Sequence, residues 1–179
     1  MILETKIGLL MKNLTLFYKE EKYIKELTNI INQNSIISLR ILDWFITNYS
    51  KKYKTIIRFE DSSGNLKNLD VYLNYKLMLK SFSKKSFDPF CRKNKIIFYY
   101  DKKNYIETSC GQLCFFKWCF ENNILEYVKN NLSIIENDMK NSLNIKKQEQ
   151  LLNKKRQPLS ITSNRCISKT YMKYVITFD

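Results

Sequence analysis

Histidine is absent from the 179-residue chain. Without an imidazole there is no Ser-His-Asp triad, no Cys-His pair and no histidine-ligated metal. Glycine occurs three times, at Gly8, Gly64 and Gly111, each isolated, so no glycine-rich loop exists to cradle a nucleotide phosphate. No small-molecule substrate or cofactor is therefore expected. No apolar run approaches the roughly 20 residues that a membrane helix needs. Glu4 stands in the N-terminal stretch where a secretory signal would be apolar. The expectation is a chain that contacts no membrane and works inside the cell. Five cysteines, an odd number, fit a reducing compartment with no obligatory disulfide.

What is present suits one folded domain. Hydrophobic residues make up 44% and charged residues 27% of the chain, the ordinary globular range, and the length suffices for a core without metal or disulfide. Thirty-one Lys and Arg face seventeen Asp and Glu, a net +14. Such an excess points to a polyanion, because each cation set on a phosphate releases counterions. Codon bias offers a second source: Lys supplies 26 of the cations, Ile and Asn number 21 and 19, and Ala is missing, as in an A+T-rich genome. The distribution separates the two, since residues 69–109 carry +5 and residues 146–179 carry +6, whereas residues 110–145 carry −1. A pure compositional bias would spread more evenly.

Apolar residues at helical spacing predict a helix over residues 16–33, and a second over 38–50 with Ser38 as its cap. The period then changes to two. Strands are predicted over 55–60 and 69–75, around the turn chemistry of Asp61 to Asn65, with 76–83 open between strand and helix. A hairpin follows over 96–100 and 105–108. Thr108 or Ser109 caps the most apolar helix, broken at Asn122-Asn123, and a further helix runs from Ser133 to about Leu152. Residues 172–178 alternate as a terminal strand. The fold class is α+β: an antiparallel sheet of four to six strands covered by helices, with a basic C-terminal arm. Residues 1–145 are expected as one domain, 146–170 as a basic helix end and polar linker, and 171–179 as the last strand.

Cys110, Cys114 and Cys119, with Cys91, could supply four thiolates to zinc, but metal knuckles use short spacings on turns. Cysteines within an apolar helix are better read as small buried hydrophobes, so no metal site is expected. A metal-dependent nuclease would need Asp88 and the triplet Asp101-Lys102-Lys103 to hold a divalent ion, although residues 101–104 are more simply a polar hairpin turn. The most informative string is Lys84-Lys85-Ser86-Phe87-Asp88-Pro89-Phe90-Cys91-Arg92-Lys93-Asn94-Lys95. There, Lys84, Lys85, Arg92, Lys93 and Lys95 can neutralise phosphates, while Phe87 and Phe90 can stack on bases or instead anchor the loop. A second basic element, Lys154, Lys155 and Arg156 beyond Lys146-Lys147, belongs to the arm.

Three strings carry a resemblance: Ser38-Leu39-Arg40-Ile41-Leu42-Asp43-Trp44-Phe45 with Asn48-Tyr49-Ser50-Lys51-Lys52; Phe87-Asp88-Pro89-Phe90-Cys91-Arg92; and Ile106-Glu107-Thr108 with Gly111-Gln112-Leu113 and Phe115-Phe116-Lys117-Trp118. Together they resemble a small uncharacterised family of nucleocytoplasmic large DNA viruses, the giant viruses. The resemblance implies a viral origin, in the host cytoplasm or the virion, and no established chemistry. The expected function is non-enzymatic: a nucleic-acid-associated protein whose basic loop and arm face DNA or RNA. The competing expectation is a capsid or scaffold component that meets viral structural proteins through residues 172–178 or an exposed Trp118 face.

Overall fold

The computed structural model describes residues 6–60, 64–82, 86–90, 95–101 and 104–152. The chain divides into two units, Met1–Asn141 and Ser142–Asp179, and the described part of the second is helical throughout. The expected basic arm and the strand over 172–178 lie outside the described residues.

Helix α1 (Lys6–Phe17) is followed by α2 (Glu21–Ile31), where one helix over 16–33 was expected. Neither proline nor glycine marks the break; tertiary packing makes it. Tyr18 is buried and its hydroxyl donates to the Leu113 carbonyl at 2.8 Å. Phe17 stacks on Tyr23 at 4.5 Å, and Glu20 takes extended backbone before α2 begins. Helix α3 (Leu39–Trp44), a π-helical turn (Phe45–Tyr49) and α4 (Ser50–Tyr53) run on from one another. Ser38 starts them as expected, its Oγ accepting from the Ile41 N–H at 3.2 Å. Lys54, at φ 47°, stops them in the left-handed region.

Strands β1 (Ile56–Glu60) and β2 (Leu66–Asp70) pair antiparallel, Ile57 opposite Leu69. Gly64, at φ 77°, supplies the backbone conformation that a side chain would resist. The predicted strand over 69–75 is corrected: it ends at Asp70, whose Oδ1 accepts from the Leu73 N–H at 2.9 Å and starts α5 (Val71–Phe82). Val71 and Tyr75, four apart, face the core, whereas Leu73 and Leu77 face out. That is a helical period written in residues that also alternate.

Strands β3 (Lys95–Tyr99) and β4 (Tyr105–Ser109) form the expected hairpin, Phe98 opposite Ile106. They do not join β1 and β2; the described strands form two separate two-stranded sheets rather than one. Each hairpin has its own inward pair, Ile57 with Leu69 and Phe98 with Ile106, so each is stabilised by helices packed on one face. Ser109 Oγ accepts from the Gln112 N–H at 3.2 Å and caps α6 (Cys110–Glu121). Asn123, at φ 51°, makes the predicted break before α7 (Ile124–Asn130), and α8 (Leu132–Leu152) follows.

Helix α6 is the axis of the core. Leu113, Phe115, Phe116 and Cys119 are fully buried, so the helix is apolar nearly all round. Each of the leucine and phenylalanine side chains contributes about 1.5–3 kcal/mol on transfer from water. Trp118 is buried as well, and its Nε1–H donates to Asn74 Oδ1 at 2.8 Å. The expectation of an exposed Trp118 face is therefore corrected. No described helix is long and apolar enough to cross a membrane.

Candidate nucleic-acid interface

The loop between α5 and β3 holds its two phenylalanines differently. Phe87 is fully buried among Tyr75, Phe82, Phe115 and Trp118, with ring centroids 5.7 to 6.0 Å away. It has no face left for a base and acts as the loop's anchor. Asp88 Oδ1 accepts from the Phe90 N–H at 2.9 Å, closing a tight turn over Pro89. That turn carries Phe90 outward, 46% exposed. Lys95 follows at the start of β3, exposed, with its Nζ 2.6 Å from Glu107 Oε1. Lys84, Lys85, Arg92, Lys93, Lys154, Lys155 and Arg156 lie outside the described residues.

Phe90 forms one wall of a cleft of 590 Å³, with Arg40 from the first turn of α3 also lining it. Ile30, Leu39 and Phe116 give it an apolar lining and Gln112 a polar one. Arg40 is the residue that sequence reasoning missed. Its signal was indirect, since only the Ser38 cap fixes where α3 begins and thus which side chains its first turn presents.

Beside the cleft, β4 leads directly into α6, and the register divides the β3–β4 hairpin sharply. Ile96, Phe98, Ile106 and Thr108 turn inward; Lys95, Ile97, Tyr99, Tyr105 and Glu107 turn outward. Tyr99 and Tyr105 are 62% and 60% exposed, and their rings lie 5.7 Å apart.

Burial raises the Asp43 carboxyl above its usual range, and the negative charge of Asp88 raises it further. Burial pushes the Tyr75 phenol up to about 12, with the charges of Asp43 and Asp88 adding to it. Asp88 thus has Asp43 as an electrostatic neighbour, while Asp101 is contacted by the Asn104 amide at 3.4 Å across the hairpin turn. Lys103 lies outside the described residues. Among the described residues no three His, Cys, Asp or Glu side chains gather as a metal site. Cys114 and Cys119 are buried and Cys110 half-buried, all three as free thiols. A hydrogen bond with Cys114 pushes the Cys110 thiol down to about 7 and the Cys114 thiol up.

The amino-acid sequence is similar to proteins whose names leave their activity open. A family model described as a family of unknown function (DUF7197) matches residues 3–172. The chain is 43% identical over 160 residues to "Uncharacterized protein L507" of Acanthamoeba polyphaga mimivirus, an alignment covering 87% of this chain. The aligned part spans 61% of that relative's length. No solved structure matches the chain. With the family model spanning nearly its whole length and a mimivirus relative beside it, the chain belongs to the DUF7197 family, an uncharacterised family of giant-virus proteins.

Proposed function

We propose that the protein is a non-enzymatic nucleic-acid-associated component of a giant virus, acting in the infected cytoplasm or the virion. The observation that carries this reading is an exposed aromatic within a basic segment. Phe90 stands half-exposed beside Arg40, inside the stretch 69–109 that carries +5 of the net +14. Cations supply affinity for the phosphate backbone, and an uncovered ring supplies a base contact. The loop cations Lys84, Lys85, Arg92, Lys93 and Lys95, with the arm cations Lys154, Lys155 and Arg156, are the residues assigned to phosphate, and of the two loop phenylalanines Phe90 keeps the aromatic role.

A salt titration of DNA and RNA binding tests it. Log affinity should fall linearly with log salt, and removal of charge at Lys84, Lys85, Arg92, Lys93 and Lys95 should weaken binding and flatten the slope by about one unit for each phosphate no longer neutralised. No binding at low salt would remove the reading. Magnesium-dependent cleavage abolished by Asp101→Ala would replace it with a nuclease. A capsid or scaffold role has one feature in its favour, the exposed Leu73 and Leu77 one turn apart on α5. It would show as association with a viral structural protein that salt barely weakens.

A further inference from the structure

We infer that the outer face of the β3–β4 hairpin is a stacking platform for single-stranded nucleic acid, with Tyr99 and Tyr105 as the base-contacting rings. The inference rests on the nucleic-acid reading above and assigns it a strand form and a second, separate contact surface.

Tyr99 and Tyr105 are direct cross-strand partners, with centroids 5.7 Å apart and planes inclined at 53°. Each is about three-fifths exposed, and among the described residues no other contacting ring pair has both partners so open. Their direction is fixed by the opposite face, where Phe98 and Ile106 are buried. A slip of one residue would bury the tyrosines and expose the core pair, so the register resists it. Two aromatics of this size left in water expose apolar surface that a cross-strand pair alone recovers only in small part.

Ile97 continues the apolar surface along β3. The carboxylate on this face, Glu107, is held by Lys95 at 2.6 Å, which offsets the repulsion it would exert on a phosphate backbone. Residues 84–103, which lead into the hairpin and through its turn, carry a net +5, a sequence charge that suits a polyanion. Stacking on a tyrosine needs an open base face. Duplexes hide those faces in their own stack, whereas single strands present them. The occupant is therefore a single strand.

The test measures binding of the full chain to a labelled oligothymidine of about 20 nucleotides, longer than one typical site, and to a duplex of equal length. Tyr99→Thr/Tyr105→Thr keeps strand propensity and removes the rings. Oligothymidine affinity should drop roughly 10-fold or more, since stacking is worth about 1–3 kcal/mol per base. Duplex affinity and the salt slope should hold, because every cation that faces a phosphate stays in place. Tyr99→Phe/Tyr105→Phe should bind within about twofold of wild type. Tyr99→Leu/Tyr105→Leu, apolar but without a π face, provides the same comparison if threonine lowers the melting temperature. Wild-type binding that survives both ring-free pairs, or a duplex affinity that falls in step, overturns the platform while the nucleic-acid reading stands. So does a change in sedimentation with oligothymidine binding unchanged, which would make this face a protein interface. Failure of the wild type to bind either probe at low salt overturns both.

Discussion

The indole of Trp44 donates to Asp138 Oδ2 at 3.2 Å across 94 residues of sequence, tying the end of α3 to α8. Lys52 Nζ and the Tyr53 hydroxyl meet the other oxygen at 2.6 and 3.1 Å. Three donors from α3 and α4 therefore converge on a carboxylate that is almost covered. Burial alone would raise the Asp138 carboxyl, but the hydrogen bonds from Lys52, Trp44 and Tyr53 outweigh it and hold the group below the usual carboxylate range. A depressed folded value contributes stability that is fully present above the unfolded carboxyl near 3.9 and lost as pH falls through the folded value. Asp138→Ala should cost about 1–3 kcal/mol at neutral pH, since it removes the charged acceptor of three donors, one of them the part-buried indole N–H. Its deficit should shrink in acid. Equal deficits at pH 7 and pH 2 in denaturant melts would rule this account out.

Phe87 and Phe90 are three residues apart and should behave oppositely on truncation. Phe87 fills a pocket of four aromatic rings, so Phe87→Ala should lower stability by about 3–5 kcal/mol. Phe90 is nearly half exposed. Phe90→Ala should leave the melt within about 0.5 kcal/mol of wild type while weakening nucleic-acid binding. A thermal melt and one binding curve per variant decide both points. Binding unchanged in Phe90→Ala would remove that ring from the interface.

The elements that the sequence announced are those with a local chemical signal. Ser38 and Ser109 each cap the helix that follows, and Asn122-Asn123 breaks the chain through the left-handed Asn123. The second hairpin alternates cleanly because one of its faces is buried. Misreadings arose where a distant contact decided. Tyr18 breaks the first helix by reaching Leu113, 95 residues away, and nothing in its neighbours says so. Helix α5 was masked by Leu73 and Leu77, apolar residues that point outward, although Asp70 was a readable cap. At the candidate site, a loop of four residues, Asp101 to Asn104, would set Tyr100 opposite Tyr105, whereas the observed register sets Tyr99 there, so the exposed tyrosine pair was not legible in the sequence. The burial of Phe87 was one of two open readings, because a loop phenylalanine looks the same in sequence whether it anchors or projects.

Cys110 opens α6 half-buried, and its thiol is lowered to about 7 by the hydrogen bond from Cys114. Cys114 is pushed up by the same bond and Cys119 by burial. The thiolate is the reactive form. In a Cys91→Ser/Cys166→Ser background, iodoacetamide at pH 7.5 or thereabouts should modify one thiol in the native protein, Cys110, and all three once unfolded. Cys114→Ala should raise the apparent titration of Cys110 toward an ordinary thiol near 8.5. Labelling at Cys119 before Cys110, followed by peptide mapping, would contradict the arrangement.

Asp43 carries the opposite sign from Asp138. Its carboxyl is raised, first by burial and then by Asp88, so the folded chain holds a proton at a pH where the unfolded chain has already released it. Between the two values the folded state binds more protons, and stability falls as pH rises. The penalty is absent in acid and complete above the folded value. Asp43→Asn, which carries no charge, should therefore match wild type near pH 3 and exceed it at pH 7. The gain is small, on the order of 1 kcal/mol or below, because water still reaches the group and screens it. Asp88→Asn should recover part of the same gain, and the double variant should show less than the sum, since the two charges act on each other. Denaturant melts of the four proteins at pH 3, 5 and 7 give the answer. Parallel stability curves for wild type and Asp43→Asn over that range would show that the carboxyl is ordinary, and full additivity of the two substitutions would show that Asp88 does not act on it.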